Sequence, residues 1–255
     1  MVLPCSLMPL CRAKKRKRRR TLGPRPNDRP PHNARDSQRP QGVQVAQLMI
    51  MRAGLCVLLH LLRASAFNYT TCPSPVELQN PALAFHLSRF AGTYYEIALH
   101  DYTQYPACPL PTCVRSVKKP DAATSKLHDA WQLSCLGGTY PEDLEFNITS
   151  QPGYFLGTWS VLPGVVFPDT VVDAGPVLPS GQYAWVIELQ CVQVDTATSS
   201  EVVFVGINFY HYLPTPGAAA LQQMFAAARV RGLEVFLNHS FGVYTVPQTN
   251  CSWAA

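Results

Sequence analysis

Short runs rich in β-branched and aromatic residues recur through most of the chain, and they constrain its fold more than any other feature. Pro, Gly and Asp separate the runs, and the prolines between them interrupt no strand ladder. Repeated short strands with turn signals between them are typical of a β-sandwich or a closed barrel. The runs cover residues 94–99, 114–118, 130–136, 144–149, 154–162, 170–172, 183–194 and 202–212.

One later stretch has a helical period instead. Leu221, Met224, Phe225 and Ala228 are spaced i, i+3, i+4 and i+7, which is the apolar stripe of a surface helix that docks on a core. A short final strand is expected near 241–245. The helix has Thr215 as a possible cap, Pro216 in its first turn, Arg229 and Arg231 near its negative end, and Gly232 at its stop.

These elements predict an all-β fold of about eight antiparallel strands with one late helix. Eight such strands close into a barrel just wide enough for one small ligand. The helix is then expected to pack against the barrel wall.

The charge divides the chain into unlike parts. Residues 1–50 hold 12 Lys or Arg and 2 acidic residues, a net charge of +10, whereas residues 67–255 hold 7 basic and 14 acidic residues, a net charge of −7. The basic, Pro- and Arg-rich segment 1–50 is expected to be disordered, either as a nuclear or RNA-binding tail or as upstream sequence joined to a true start at Met51. The acidic remainder gives no sign of a nucleic-acid-binding face.

Residues 51–66 have the pattern of a secretory signal peptide. Arg52 supplies a positive start, residues 55–62 form an apolar run, and Ala64-Ser65-Ala66 fits a cleavage site. The run is too short to span a membrane. We therefore expect a domain of residues 67–255, secreted or in the endomembrane lumen. A signal-anchor, a buried helix and a bipartite presequence to an organelle lumen are the alternatives.

Six cysteines remain after residue 66, which suggests three disulfides among 15 possible pairings in an oxidising compartment. Their spacing contains no C-x-x-C and no neighbouring histidines, so no metal site is predicted. Asn68, Asn147 and Asn238 begin glycosylation sequons. The cysteines are Cys72, Cys108, Cys113, Cys135, Cys191 and Cys251.

Three short motifs recur together in one family of proteins: Cys72-Pro73, residues 92–97 (Gly-Thr-Tyr-Tyr-Glu-Ile) and residues 246–251 (Val-Pro-Gln-Thr-Asn-Cys). With them, the body of the chain resembles lipocalins, and within them the apolipoprotein D-like group. The resemblance implies disulfides Cys72–Cys191 and Cys113–Cys251, which leave Cys108 and Cys135 to each other.

The sequence departs from the lipocalin pattern in three places. Tyr94 replaces the signature Trp of the first strand, residues 172–174 retain only the Asp of a Thr-Asp-Tyr motif, and residues 209–212 lack the Arg that packs on that Trp. A repacked barrel floor is expected, with Tyr94 against other aromatics and its hydroxyl hydrogen-bonded.

A barrel interior receives every second side chain, so Tyr94, Glu96 and Ala98 are expected to share the inward face of the first strand. Glu96 is then a structural hydrogen-bonding group, a polar anchor for a ligand, or an acid with a raised pKa. Trp131 is ambiguous between wall and ligand contact. The other expected ligand-lining residues are Trp159, Trp185, Ile187, Ile207 and Phe209.

Three functions follow from the resemblance. The first is a carrier of a small hydrophobic ligand, such as a lipid, sterol, isoprenoid or pigment, without catalysis or cofactor. The second is a lipocalin-fold enzyme resembling a de-epoxidase or isomerase, which would use acids such as Asp101. The simpler interpretation of Asp101 is a solvated loop residue. The third is an interaction or inhibitor module with a filled barrel. No nucleophile or phosphate-loop motif supports catalysis.

Overall fold

The computed structural model describes residues 71–101, 108, 110–135, 137–158, 164–195, 197–238 and 242–253, with the side chain of Asn238 excluded. All of them belong to the second of the two units into which the chain divides, Leu58–Ala255. The strands are β1 (Gly92–His100), β2 (Thr112–Asp121), β3 (Lys126–Cys135), β4 (Gly138–Ile148), β5 (Tyr154–Thr158), β6 (Val166–Ala174), β7 (Trp185–Asp195), β8 (Ser200–His211) and β9 (Tyr244–Thr245). The helices are α1 (Pro75–Leu78), α2 (Leu87–Phe90), α3 (Ala218–Val230) and α4 (Glu234–Asn238).

Strands β1 to β8 form a closed antiparallel barrel. Each strand pairs with the next along the chain, and β1 also pairs with β8, which closes the ring. The short β9 adds to the free side of β1, beyond the point where β1 and β2 separate. The prediction of an eight-stranded barrel with a late helix is therefore confirmed.

Aromatic side chains close the end of the barrel where β1 begins. Phe90 of α2 packs against Tyr94 and stacks on Phe155, with ring centroids 6.1 and 5.6 Å apart. The Tyr94 hydroxyl donates to the Arg89 carbonyl at 3.3 Å, as expected for a buried tyrosine. The opposite end, where β1 ends and β2 begins, has half-buried residues such as Trp131 and Phe167 on its interior wall and is called the open end below.

Helix α3 packs on the outer wall of the barrel. Met224 and Ala228 are completely buried, and the Phe225 ring meets the ring of Phe209 edge-on at 5.1 Å. The helix begins after Gly217 rather than at the expected Thr215, and the chain leaves it through Gly232 at φ +75°, a conformation that glycine adopts without strain.

The gap between β1 and β2 is filled by one side chain from the C-terminal tail. The Gln248 amide nitrogen donates to the Glu96 carbonyl at 2.7 Å and to the Val114 carbonyl at 2.9 Å. These carbonyls lie where the β1–β2 ladder has opened. Gln248 therefore replaces strand hydrogen bonds with a buried side-chain bridge.

All three expected disulfides are formed: Cys72–Cys191, Cys108–Cys135 and Cys113–Cys251. The first ties the N-terminal arm to the outer wall, and the third ties the tail to the start of β2. The second joins the β1–β2 connection to the end of β3 at the open end. Within the described part of the chain, none of the helices has the length and apolar character that a membrane span requires.

Candidate functional site: the barrel interior

The sequence-predicted ligand residues divide between the two faces of the barrel wall. Tyr94 and Glu96 face the interior and are completely buried. The remaining described residues belong to the hydrophobic cluster that receives α3 and α4 on the outer wall, and Trp159 lies outside the described residues. The outer-wall residues are Ala98, Trp185, Ile187, Ile207 and Phe209.

A β-bulge in β1 explains the position of Ala98. Glu96 pairs with Tyr210, but Ala98 pairs with Phe209, so the register shifts by one residue at Ile97. Directly opposed residues point to the same side of a sheet, and adjacent residues point to opposite sides. The expectation that Ala98 shares a face with Glu96 is therefore wrong, and Leu99 faces inward instead.

A buried ion-pair network crosses the interior above the closed end. Lys118 Nζ lies 2.9 Å from Asp129 Oδ2 and 3.1 Å from Glu188 Oε1, and all three side chains are at most 3% exposed. The Ser116 hydroxyl donates to the other Asp129 oxygen at 2.7 Å. Lys118 thus links β2 and β3 to β7 on the far side of the barrel.

The Lys118 ammonium also lies over two aromatic rings. Its nitrogen is 4.8 Å from the centre of the Phe90 ring and 4.9 Å from that of Tyr210. The negative faces of such rings attract a cation, most strongly where water is excluded. The barrel floor therefore has a cation packed on aromatic rings, provided by a lysine of β2 rather than by residues 209–212.

Carboxyl groups outnumber basic groups in the buried interior. Lys118 is the one lysine or arginine among the buried residues of the described ranges. Five buried carboxyl groups face the interior, and two of them are already paired with Lys118. The five are Glu96, Asp101, Asp129, Asp169 and Glu188.

This imbalance alters the proton affinity of the interior groups. Burial raises the pKa of Asp169 well above its usual value, and the nearby Glu188 carboxylate raises it further. Burial likewise raises the pKa of Glu188, although the attraction of Lys118 opposes the change. Burial acts to lower the pKa of Lys118, but the attraction of Asp129, Glu188 and Asp169 and the hydrogen bond to Asp129 together outweigh it, and that pKa is raised. Asp169 therefore retains its proton to higher pH than an exposed aspartate does.

Asp169 begins a row of polar groups across three adjacent strands. Its Oδ2 accepts a hydrogen bond from the Gln190 amide at 3.4 Å, and Gln190 pairs in register with Gly206 of β8. A Cβ at Gly206 would lie 3.3 Å from Cγ of Asp101, so the glycine leaves room for that carboxyl group. Asp101 is 3% exposed, and the expectation of a solvated loop residue is wrong because it folds back over β8.

The Asn208 amide contacts one of the interior carboxyl groups. In the orientation that suits its neighbours, its nitrogen donates to Glu96 Oε1 at 3.3 Å and to the Ile207 carbonyl at 2.9 Å. A side-chain hydrogen bond therefore ties Glu96 of β1 to β8.

The interior wall becomes apolar and partly accessible toward the open end. Leu99 and Leu133 are buried there in one cluster, against which the half-buried Trp131 packs. Across the barrel, Phe167 is half-buried and its ring meets that of Phe204 edge-on at 6.3 Å. The open half of the interior thus combines an apolar lining with polar groups beneath it.

A separate groove of about 230 Å³ lies on the outside of the barrel, between the N-terminal arm and the β5–β7 wall. Cys72, Pro75 and Leu78 line it from the arm, and Tyr154 and Leu189 line it from the wall. Because these wall residues face outward, the groove is distinct from the interior.

Asn147 is exposed on β4, whereas Asn68 and the Asn238 side chain lie outside the described residues. Among the residues that the structure describes, no group of three or more His, Cys, Asp or Glu has the arrangement of a metal site.

Sequence reasoning missed Lys118, Asp129, Asp169 and Glu188. Strict alternation over residues 114–118 is compatible with an inward Lys118. It does not decide whether Lys118 or Lys119 faces inward. A charged residue in a strand is ordinarily assigned to the solvent side. The available signal was two charged residues inside runs, Lys118 and Glu188, and two acids, Asp129 and Asp169, that directly precede runs.

No known family model matches the chain, and neither does any curated protein. Among solved structures, lobster apocrustacyanin A1 matches at 11% identity over 64% of this chain and 79% of its own, with a TM-score of 0.47. Apocrustacyanin C1 matches at 11% identity over 71% and 89%, with a TM-score of 0.49. The siderocalin Ex-FABP, described as having dual ligand specificities, matches at 14% identity over 65% and 95%, with a TM-score of 0.42. All three are lipocalins. At these identities the likenesses concern the barrel fold and assign no ligand to this chain.

Proposed function

We propose that the chain is a lipocalin-type carrier that holds a small hydrophobic ligand in the open half of its barrel. The observation that carries the proposal is the apolar interior lining, which passes from the buried Leu99 and Leu133 to the half-buried Trp131 and Phe167. An apolar lining provides affinity, and a few polar groups provide orientation.

The floor limits the length of the ligand. Phe90 and Tyr94 close the lower end, and the Lys118 network crosses the interior above them. Moving that network would separate buried ion pairs, which is costly. The ligand therefore lies above the network, with its polar end toward Asp101, Asp169 and Gln190.

The proposal includes secretion and membership of the apolipoprotein D-like group. Three disulfides support an oxidising compartment. The Gln248 bridge gives the tail motif of that group a structural role. If residues 51–66 are removed as a signal peptide, N-terminal sequencing of the secreted protein will begin at Phe67, and Asn147 will be accessible to glycosylation.

The test of the carrier function is recovery and rebinding of a ligand. The full chain is expressed in secreting eukaryotic cells, and the purified protein is extracted with organic solvent for mass spectrometry. Recovered compounds are then returned to the extracted protein while tryptophan fluorescence is recorded. We expect a saturable change, because Trp131 lies at the proposed site.

Two matched tryptophan variants show which tryptophan produces the fluorescence change. Trp131→Phe should remove most of the fluorescence change, whereas Trp253→Phe should keep it, because Trp253 lies on the outer wall beside Tyr95. Failure to recover or rebind any compound would refute the carrier. Chemical conversion of the compound by the protein would instead support the lipocalin-fold enzyme.

A further inference from the structure

Asp169 carries an interior carboxyl oxygen that has neither a hydrogen bond nor an ion pair among the described residues. Asp169 is 3% exposed, and its Oδ1 has no hydrogen-bond partner among the described residues, while Oδ2 accepts only the long bond from Gln190. A buried polar atom without a partner costs free energy. The position of Oδ1 therefore favours a group that donates to it.

The chain supplies no second buried Lys or Arg within its described ranges for this purpose. Lys118 contacts Asp129 and Glu188 and lies over two aromatic rings. The Lys118 ammonium has three hydrogens, and its ion pairs with Asp129 on β3 and Glu188 on β7 already occupy it. Asp169, on β6, feels Lys118 only as a more distant charge.

The unpartnered oxygen is near the accessible half of the interior. Gln190, the neighbour of Asp169 across β6 and β7, is partly exposed. Phe167 precedes Asp169 on the same face of β6, nearer the open end, and is also partly exposed. A ligand that enters past Phe167 and Phe204 thus meets Asp169 and Gln190 below them.

On the basis of the proposed carrier function, we propose that the barrel selects hydrophobic amines, whose ammonium group donates to Asp169 Oδ1 while the apolar body packs between Trp131 and Phe167. The ammonium would lie on the open side of the Lys118 network. Glu188 and Asp129 face this position from β7 and β3, Glu96 faces it from β1, Asp101 from directly after β1, and Tyr210 from β8.

The surplus of buried carboxyl groups favours a hydrophobic amine over other ligands of similar shape. A carboxylate head group would enter a region with five acids and one lysine, where it is repelled. A neutral alcohol is neither repelled nor strongly attracted. An ammonium group donates a hydrogen bond to Asp169 Oδ1 and offsets the surplus negative charge. Such a charge-assisted hydrogen bond is stronger than a neutral one.

The test compares three probes with the same alkyl chain: decylamine, decan-1-ol and decanoate. Their binding to the extracted protein is measured by isothermal titration calorimetry at pH 7. We expect decylamine to bind at least about tenfold more tightly than the other two. Asp169→Asn should weaken decylamine binding by about ten- to a hundredfold and change decanol binding by less than about threefold.

Asp143→Asn is the matched control, because Asp143 is exposed on β4 and its replacement removes the same charge away from the interior. Equal affinities for the three probes, tighter binding of decanoate, or unchanged decylamine binding in Asp169→Asn would overturn the amine proposal while leaving the carrier intact. Failure of all three probes, in a protein from which no compound is recovered, would overturn both proposals.

Discussion

Lys118 and Asp129 form an ion pair inside the barrel, with 2.9 Å between Nζ and Oδ2 and both side chains almost completely buried. A buried pair of this kind adds little net stability over a well-packed apolar pair, but removing one member leaves the other charge uncompensated. This asymmetry gives a direct test of the network.

Lys118→Met should lower the free energy of unfolding by about 3–5 kcal/mol at pH 7, because Asp129 and Glu188 lose their cation. The loss should be smaller at pH 4.5, where Glu188, whose pKa burial raises, takes up a proton. Urea unfolding at the two pH values measures both effects. Lys119→Met is the control, since Lys119 is exposed and should change stability little. Equal losses for the two lysines would refute the network.

Asp169→Asn should stabilise the ligand-free protein at neutral pH. The native pKa of Asp169 is raised above its usual 3.8, first by burial and then by Glu188. The folded state therefore binds this proton more tightly than the unfolded chain, and its stability falls as the pH rises from about 3.8 to the native pKa. An asparagine has no proton to lose, so the stability of the variant should increase relative to that of the wild type as the pH rises.

The measurement is the urea midpoint at pH 4.5 and at pH 8 for the wild type, Asp169→Asn and Asp143→Asn. The advantage of Asp169→Asn should be larger at pH 8. An advantage that does not grow with pH would show that Asp169 is not a proton-binding group of the folded state.

Gln248→Ala should destabilise the barrel by about 2–4 kcal/mol, because the buried carbonyls of Glu96 and Val114 both lose their donor. Amide hydrogen exchange should also become faster at the open ends of β1 and β2. Thr249→Ala, at the next and exposed position, should have little effect. Equal stability of the two variants would show that water replaces the Gln248 amide without cost.

The Cys72→Ala, Cys191→Ala double variant should lose about 2–5 kcal/mol, since the bridge restrains an unfolded loop with a sequence separation of 119. Chemical denaturation under non-reducing conditions measures the loss. Ligand binding should survive in the folded fraction, because this bridge lies on the outer wall. Loss of binding in the folded variant would place the ligand in the outer groove instead.

Ile207→Val tests which wall face contacts the ligand. Ile207 packs in the cluster under the helices, so removing one methylene should cost about 0.5–1.5 kcal/mol and leave decylamine affinity unchanged. Phe204→Leu, on the inward face of β8, should weaken that affinity. The opposite pattern would show that the sequence-predicted residues line the site after all.

The strands and α3 could be predicted from the sequence because turn residues and apolar periodicity are local signals. The short helices α1 and α2 were not predicted, since four residues are too few to show a helical period. The sequence could not predict which side of the barrel wall each β1 residue after Ile97 occupies, because a bulge depends on pairing with another strand. The network around Lys118 was also unpredictable, since its members lie on different strands that only closure of the barrel brings together.

The bulge at Ile97 has a consequence for comparing this chain with others. Tyr94 and Glu96 lie on the inward side before it, and Leu99 takes that side after it. An ungapped alignment with a regular first strand would assign pocket roles to Ala98 and His100, which belong to the helix-facing wall. Transferring functional positions from another barrel to this one therefore requires a one-residue gap at Ile97. A chain without Ile97 would have a regular first strand in which Ala98 stays on the outer wall and Leu99 stays inside.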